Sequence, residues 1–194
     1  AGSTGTLVPP KGYLQRLREI CDKHGILLIF DEVITGWGRT GSSFASHEFG
    51  VTPDIMTMAK ATTNGVVPMG VVACKDEIYD AVMDASPMGS VELFHGYTYS
   101  GIPVAVAAAL AVQDIFEKED IFERAKNLSP YFQKGLFSLQ DLESVENIRG
   151  YGMMGGIDMK MNIKPGKAGL DTFKSCYEAG VNFKPTGDCL IIAP

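Results

Sequence analysis

Apolar residues recur at helical spacing from Tyr13 onward, with Leu14, Leu17, Ile20 and Cys21 on one stripe. Pro9-Pro10 introduce this stripe and His24-Gly25 close it, which predicts a helix with proline in its first turn. The pattern then changes. Residues 26–30 form a wholly apolar run that ends in Asp31-Glu32. A run that short and that apolar predicts a strand buried on both faces. Residues 54–59 and 69–74 read as two more buried strands, and residues 77–83 as a helix. Buried strands separated by loops and helices imply an α/β fold with a mostly parallel sheet and flanking helices. After Pro103 an alanine-rich run over 104–112 predicts a tightly packed helix, and 122–139 carries a second amphipathic pattern. Beyond Leu142 the order is a strand over 145–157, a helix over 169–178 and a strand pair within 181–192, a smaller α+β unit. The division falls within the helices, giving part of a larger domain over 1–114 and part of a smaller one over 115–194.

Composition narrows the class. The chain has 194 residues, 45% of them apolar and 21% charged, which is globular in character. A formal net charge of -6 argues against nucleic-acid binding as the main activity. Cys21, Cys74, Cys176 and Cys189 form no C-x-x-C pair, so buried free thiols are expected and no metal site. No apolar stretch approaches the ~20 residues of a membrane span, and no signal peptide opens the chain, which points to the cytoplasm. Met56, Met58, Met69, Met153 and Met154 read as core fillers. His24, at a helix end, His47 and His95 carry no catalytic expectation.

Four features bear chemistry. Asp31 ends a buried strand, where open α/β sheets bind ligands. Its carboxylate either meets a cation, a metal or a protonated ring, or caps the following turn. Lys60 ends another strand before the small-residue loop Ala61-Thr62-Thr63-Asn64-Gly65. Its amine is either a nucleophile toward a carbonyl or a solvated strand-end charge. Phe94-His95-Gly96-Tyr97-Thr98-Tyr99-Ser100-Gly101 places hydroxyls ahead of a helix, an arrangement suited to a phosphate or simply a glycine-flanked loop. In Gly36-Trp37-Gly38-Arg39-Thr40-Gly41 three glycines in six residues imply close backbone approach or positive φ. Trp37 and Arg39 there either line a pocket or pack and pair at the surface. An apolar run ending in Asp31-Glu32 also fits the magnesium site of a nucleotide hydrolase. That reading requires a G-x-x-x-x-G-K-[ST] loop, which the sequence lacks.

Three motifs in order, with Asp31 and Lys60 separated by 29 residues, resemble class III aminotransferases of fold type I, within them the ω-amino-acid:pyruvate (β-alanine:pyruvate-like) group. The motifs are residues 27–41, Thr57-Met58-Ala59-Lys60, and residues 92–101. The resemblance runs the whole chain and implies pyridoxal 5′-phosphate (PLP) and transfer of an amino group from an ω-amino acid or amine to a keto acid such as pyruvate. By the same resemblance Lys60 is the lysine of the internal aldimine, which also shuttles the proton between substrate and cofactor carbons. Asp31 faces the pyridine nitrogen, where a carboxylate favours the protonated, electron-accepting ring. Val33 packs on one ring face. Tyr97 and Thr98 belong to the cofactor site, Thr98 binding the phosphate of the other subunit's cofactor in a homodimer. Trp37 and Arg39 are assigned to the substrate side.

The sequence departs from the family pattern at three places. Ile102 stands for a usual His, Ala61-Thr62 for Gly-Leu after the lysine, and Lys184 for an expected Arg. These leave the cofactor assignments intact and bear on substrate preference. Members of the family run to about twice this length, and the upstream phosphate loop and ring-stacking aromatic are not among these residues, so the chain reads as a fragment cut at both ends. Two alternatives accompany the transaminase reading. One is an inactive piece serving only folding or dimerisation. The other is a related PLP aminomutase, racemase or decarboxylase using the same Lys60 and Asp31.

Overall fold

The computed structural model describes residues 2–88, 97–160 and 164–194. Helix α1 (Tyr13–His24) carries the expected stripe and ends at Gly25, whose φ of 62° permits the left-handed cap that turns the chain into the first strand. Pro9-Pro10 lie ahead of the helix rather than in its first turn, because Gly12 is the residue that caps it. Strand β1 (Ile29–Asp31) pairs in parallel with β2 (Ile55–Met58), and β2 pairs antiparallel with β3 (Val71–Cys74). The short helix α2 (Ala45–Phe49) lies between β1 and β2, and α3 (Asp76–Ala85) follows β3.

This sheet is mixed, not mostly parallel. Residues 59–70 contain a single 3-10 turn and no crossover helix, and an antiparallel neighbour needs none. Burial also differs from expectation. Leu28 packs with Cys21 and Val51 beneath α1, but Ile26, Leu27 and Ile29 are more than half exposed, as is Val72 of β3. Among the described residues β1 has a strand neighbour on one side only, and the chain spans less of the fold than a two-layered parallel sheet would need.

Helix α4 (Pro103–Lys118) begins with proline at its first position and buries Ala105, Ala109 and Val112 along one face. Helix α5 (Ile121–Phe137) follows after Asp120, which adopts φ 49°. Position 115 thus lies inside the last turn of α4, which packs against α5. The expected single strand over 145–157 is a hairpin, β4 (Val145–Tyr151) and β5 (Met154–Met159), turning at Gly152. Gly152 has φ 57°, and a β-carbon there would sit 2.4 Å from the Arg39 carbonyl oxygen. The apolar text continues through this turn because Met153 is buried, so composition alone hides the reversal.

After α6 (Lys167–Glu178), β6 (Lys184–Thr186) and β7 (Cys189–Ile192) complete an antiparallel sheet of order β4-β5-β7-β6. Leu136, Val145, Ile148, Ile157, Met159 and Leu190 form its core. The four cysteines are free, but only Cys21 is buried; Cys74 is exposed because β3 lacks a covering layer over that face. Met58, Met153 and Met154 are core residues. No helix among the described residues is long and apolar enough to cross a membrane.

Candidate active site

The parallel register sets Asp31 beside Thr57, so both strands end on the same side of the sheet and their loops leave together. The Asp31 carboxylate is exposed and accepts the Val33 N–H through one oxygen at 3.1 Å. It therefore caps its own turn and still presents its second oxygen. Three residues past Thr57 the chain reaches Lys60, at φ 48°, which starts a 3-10 turn over Lys60–Thr62. The Lys60 side chain is exposed and has neither a hydrogen bond nor an ion pair among the described residues. Such conformations persist where surrounding bonds over-determine them, and they cluster at functional sites. The turn is closed by Thr63 and Gly65 N–H groups on the Lys60 carbonyl at 3.3 and 3.2 Å. Thr63, almost fully buried, donates its hydroxyl to Val67 O at 2.6 Å.

Glu32 behaves differently from its neighbour. It is 1% exposed, and its oxygens accept the Thr35 hydroxyl, the Ala45 N–H and the Ser46 N–H at 2.6, 3.0 and 2.7 Å. It caps the head of α2 and folds the 33–44 loop back over the strand end. A carboxylate so engaged is spoken for as a structural anchor, which removes it from the magnesium pair that Asp31-Glu32 evoked in the sequence. No cluster of metal-binding side chains occurs among the described residues.

The glycine-rich loop fulfils both geometric expectations. Gly38 and Gly41 adopt φ 96° and 93°, and a β-carbon on Gly36 would lie 2.8 Å from Glu32 O. Trp37 donates its indole N–H to Thr62 Oγ1 at 3.0 Å, tying this loop to the Lys60 turn. Arg39 donates to Pro194 O, and its carbonyl accepts the Met153 N–H at 2.8 Å, so it also fastens the β4–β5 hairpin. Burial pushes the Arg39 guanidinium below its ordinary pKa. Trp37, Arg39, Ala61, Asn64 and Met153 are among the residues lining an open cavity of about 630 Å³ beside the Lys60 turn.

Tyr97 and Thr98 are exposed in the turn that leads to Ile102, the N-cap of α4. Helix α4 packs against the Lys60 turn, yet no hydrogen bond joins Thr98 to Asp31 or Lys60 among the described residues. Residues 92–96, including His95, lie outside the described residues. Lys184 is exposed at the start of β6. Asp31 and Val33 thus lie at the end of β1 and Lys60 follows the end of β2, while Trp37 and Arg39 line a cavity with Ala61 and Thr98 stands at the head of a neighbouring helix.

Two residues that organise this surface carry no motif of their own. Thr62 was visible only as a departure from the family pattern. Asp54 is buried below the site and accepts the Leu28 N–H, Arg18 and Lys75, each at 2.7 Å. The Leu28 N–H, then Lys75 and Arg18, hold its carboxyl well below the usual carboxylate range. Its one legible sign is an acid just ahead of a strand.

The class-III aminotransferase family model matches residues 1–194. The chain is 49% identical over 195 residues to an omega-aminotransferase of Caulobacter vibrioides, covering 100% of this chain and 44% of that protein. It is 48% identical over 200 residues to the beta-alanine–pyruvate aminotransferase of Pseudomonas aeruginosa, again covering 100% of this chain and 44% of the relative. A crystal structure of an (S)-enantioselective omega-transaminase from Thermomicrobium roseum superposes with a TM-score of 0.92 at 38% identity, covering 100% of this chain and 44% of that one. The chain therefore spans less than half the length of the relatives it matches. With the family model matched over the whole chain and relatives of nearly half identical sequence, the chain belongs to the class-III aminotransferases.

Proposed function

We propose that the protein carrying these residues is a PLP-dependent transaminase that moves an amino group from an ω-amino acid or amine to a keto acid such as pyruvate. The observation that carries this reading is the exposed Lys60 amine, unpaired among the described residues, on a left-handed turn that follows β2, the parallel neighbour of the strand that ends in the exposed Asp31 carboxylate. This donor set fits the cofactor: an amine for its aldehyde and an anion for its ring nitrogen. Family membership and the activities for which the relatives are named support the same conclusion.

When bound, PLP supplies an electrophilic carbon and a conjugated ring that accepts the electrons of a breaking C–H bond. Lys60 Nζ would hold the cofactor through its aldehyde and would accept and return the proton at the substrate carbon. The second oxygen of Asp31 would favour a protonated ring nitrogen. Val33, whose N–H donates to Asp31, would border the ring. Tyr97 and Thr98, ahead of the α4 N-terminus, would bind the phosphate, Thr98 from the partner subunit of a homodimer in the cytoplasm. Trp37 and Arg39 border the approach for substrate. The proposed division places residues 1–114 in the cofactor-binding domain and 115–194 in the smaller one.

Borohydride reduction of the purified whole polypeptide followed by peptide mass mapping tests the reading, alongside alanine formation from β-alanine and pyruvate. A reduced pyridoxyl group on Lys60 together with alanine is the expected result. Label on another lysine, or none, would overturn the assignment; label on Lys60 without amino transfer would point to an aminomutase, racemase or decarboxylase.

A further inference from the structure

Five non-glycine residues among those described have positive φ, and one of them, Trp37 at 61°, starts a hydrogen-bonded relay that ends at Ala59, next to another, Lys60 at 48°. Trp37 Nε1–H donates to Thr62 Oγ1 at 3.0 Å, and the Thr62 hydroxyl donates to Ala59 O at 3.0 Å. The Ala59 carbonyl also accepts the Thr62 N–H at 3.0 Å. Both bonds from Thr62 close on Ala59, the residue immediately before Lys60. Thr62 is 3% exposed, so its hydroxyl depends on these partners and not on bulk water.

The other end of the relay is equally fixed. The Trp37 ring meets Phe44 edge-on at 4.9 Å and lies against Phe116 of α4 at 5.7 Å. Its backbone N–H donates to Ser43 O at 2.6 Å. Through Gly36 N–H on Glu32 O at 3.0 Å, the same loop runs back to the Asp31 strand end. Trp37 therefore joins three segments: the Asp31 loop, the Lys60 turn and helix α4.

We propose that Trp37 is a positioning residue for Lys60, its indole N–H acting through the Thr62 hydroxyl to lock the left-handed turn that presents the lysine amine. This rests on the reading of Lys60 as the cofactor-holding lysine. The relay makes the indole donor, and not only the ring's bulk, the part that matters. Trp37→Phe keeps an aromatic ring against Phe44 and Phe116 and removes the donor. Thr62→Val keeps the shape and removes the hydroxyl, whereas Thr62→Ser keeps the hydroxyl.

The test uses the whole polypeptide, freed of cofactor. The rate at which added PLP becomes attached to Lys60, trapped by borohydride and read by mass, is measured alongside kcat, KM and Tm. Trp37→Phe and Thr62→Val should each slow attachment and lower kcat roughly three- to tenfold, the size of one neutral hydrogen bond, with KM little changed. The double variant should be no worse than the poorer single one, and Thr62→Ser should approach the parent. A Trp37→Phe protein that loses Tm but keeps the parent's attachment rate and kcat would overturn the proposal, as would additive effects in the double variant. Lys60→Ala is the separate control: PLP attached covalently elsewhere in that variant would overturn the underlying reading of Lys60 and leave the Trp37 measurements to be judged apart.

Discussion

The four-stranded sheet β4-β5-β7-β6 encloses six buried apolar residues, whereas the three-stranded sheet β1-β2-β3 buries Leu28 and Met58 in its neighbourhood and leaves Ile29 and Val72 exposed. The poorly covered sheet is the one that bears Asp31 and Lys60. Its loops are held by directional polar ties: Glu32 on the head of α2, Asp54 on Leu28, Arg18 and Lys75, and Trp37 on Thr62. Apolar burial is non-directional and stabilises a layer without aiming any one side chain. Hydrogen bonds to buried, charged or hydroxyl groups fix orientation. The difference teaches that the second sheet supplies bulk stability to the chain and the first supplies aim.

Lys60→Ala should produce the largest effect, a loss of about 10²–10⁴-fold in the proposed transamination, with the Tm of the cofactor-free protein unchanged because the side chain is exposed and unpaired among the described residues. Steady-state kinetics and a thermal melt of the same sample check it; a fall in Tm equal to a core variant's would break the division between aim and stability. Next, Leu136→Ala in the apolar cluster should cost about 2–5 kcal/mol. Ile29→Ala, at a 56% exposed position, should stay within about 0.5 kcal/mol in the 194-residue chain. Urea unfolding of both variants compares the sheets directly, and equal costs would end the contrast.

Asp54→Asn should cost about 3 kcal/mol by stripping the charge from a buried carboxylate that faces Arg18 and Lys75. The sign with pH follows from the lowered carboxyl. The folded value lies below the ordinary 3.8, so the stabilisation is present above about pH 4 and is lost as pH falls through the folded value. Urea midpoints between pH 7 and pH 3 should fall for the parent and flatten for Asp54→Asn. A smaller effect than that of Asp54→Asn concerns the tie between the two regions. Tyr151 of β4 donates its hydroxyl to Glu48 of α2 at 2.6 Å. Burial and Glu48 push its phenol up to about 12. Raised above 10, it stabilises the fold below pH 10 and that contribution fades as pH rises toward 12. Tyr151→Phe should lose about 1 kcal/mol at neutral pH and show a shallower alkaline decline, read by circular dichroism against pH.

Helices α1, α3, α4, α5 and α6 were legible in the sequence because an amphipathic or alanine-rich helix is written in spacings of three and four residues. Asp31 and Lys60 stood out as candidates because each closes an apolar run and their separation resembles a family pattern. The exposure of β1 was not, because an apolar run predicts burial without saying whether a second layer is there to provide it. The β4–β5 hairpin was hidden by buried Met153 and Met154, which carry the apolar text through the turn. Thr62 gave only a departure from pattern, and its partner Trp37 is 25 residues away. Glu32 read as half of an acidic pair, yet its partners at Ala45 and Ser46 turn it into a buried cap.

Local spacing and strand-end chemistry were thus determined by the sequence itself, since they depend on neighbours within a turn or two of the chain. Which carboxylate stays free, which donor meets the Lys60 turn, and which sheet carries the core were decided only in the tertiary structure. Those outcomes depend on segments brought together from far apart, where packing and hydrogen-bond geometry choose among partners that the linear order leaves equivalent.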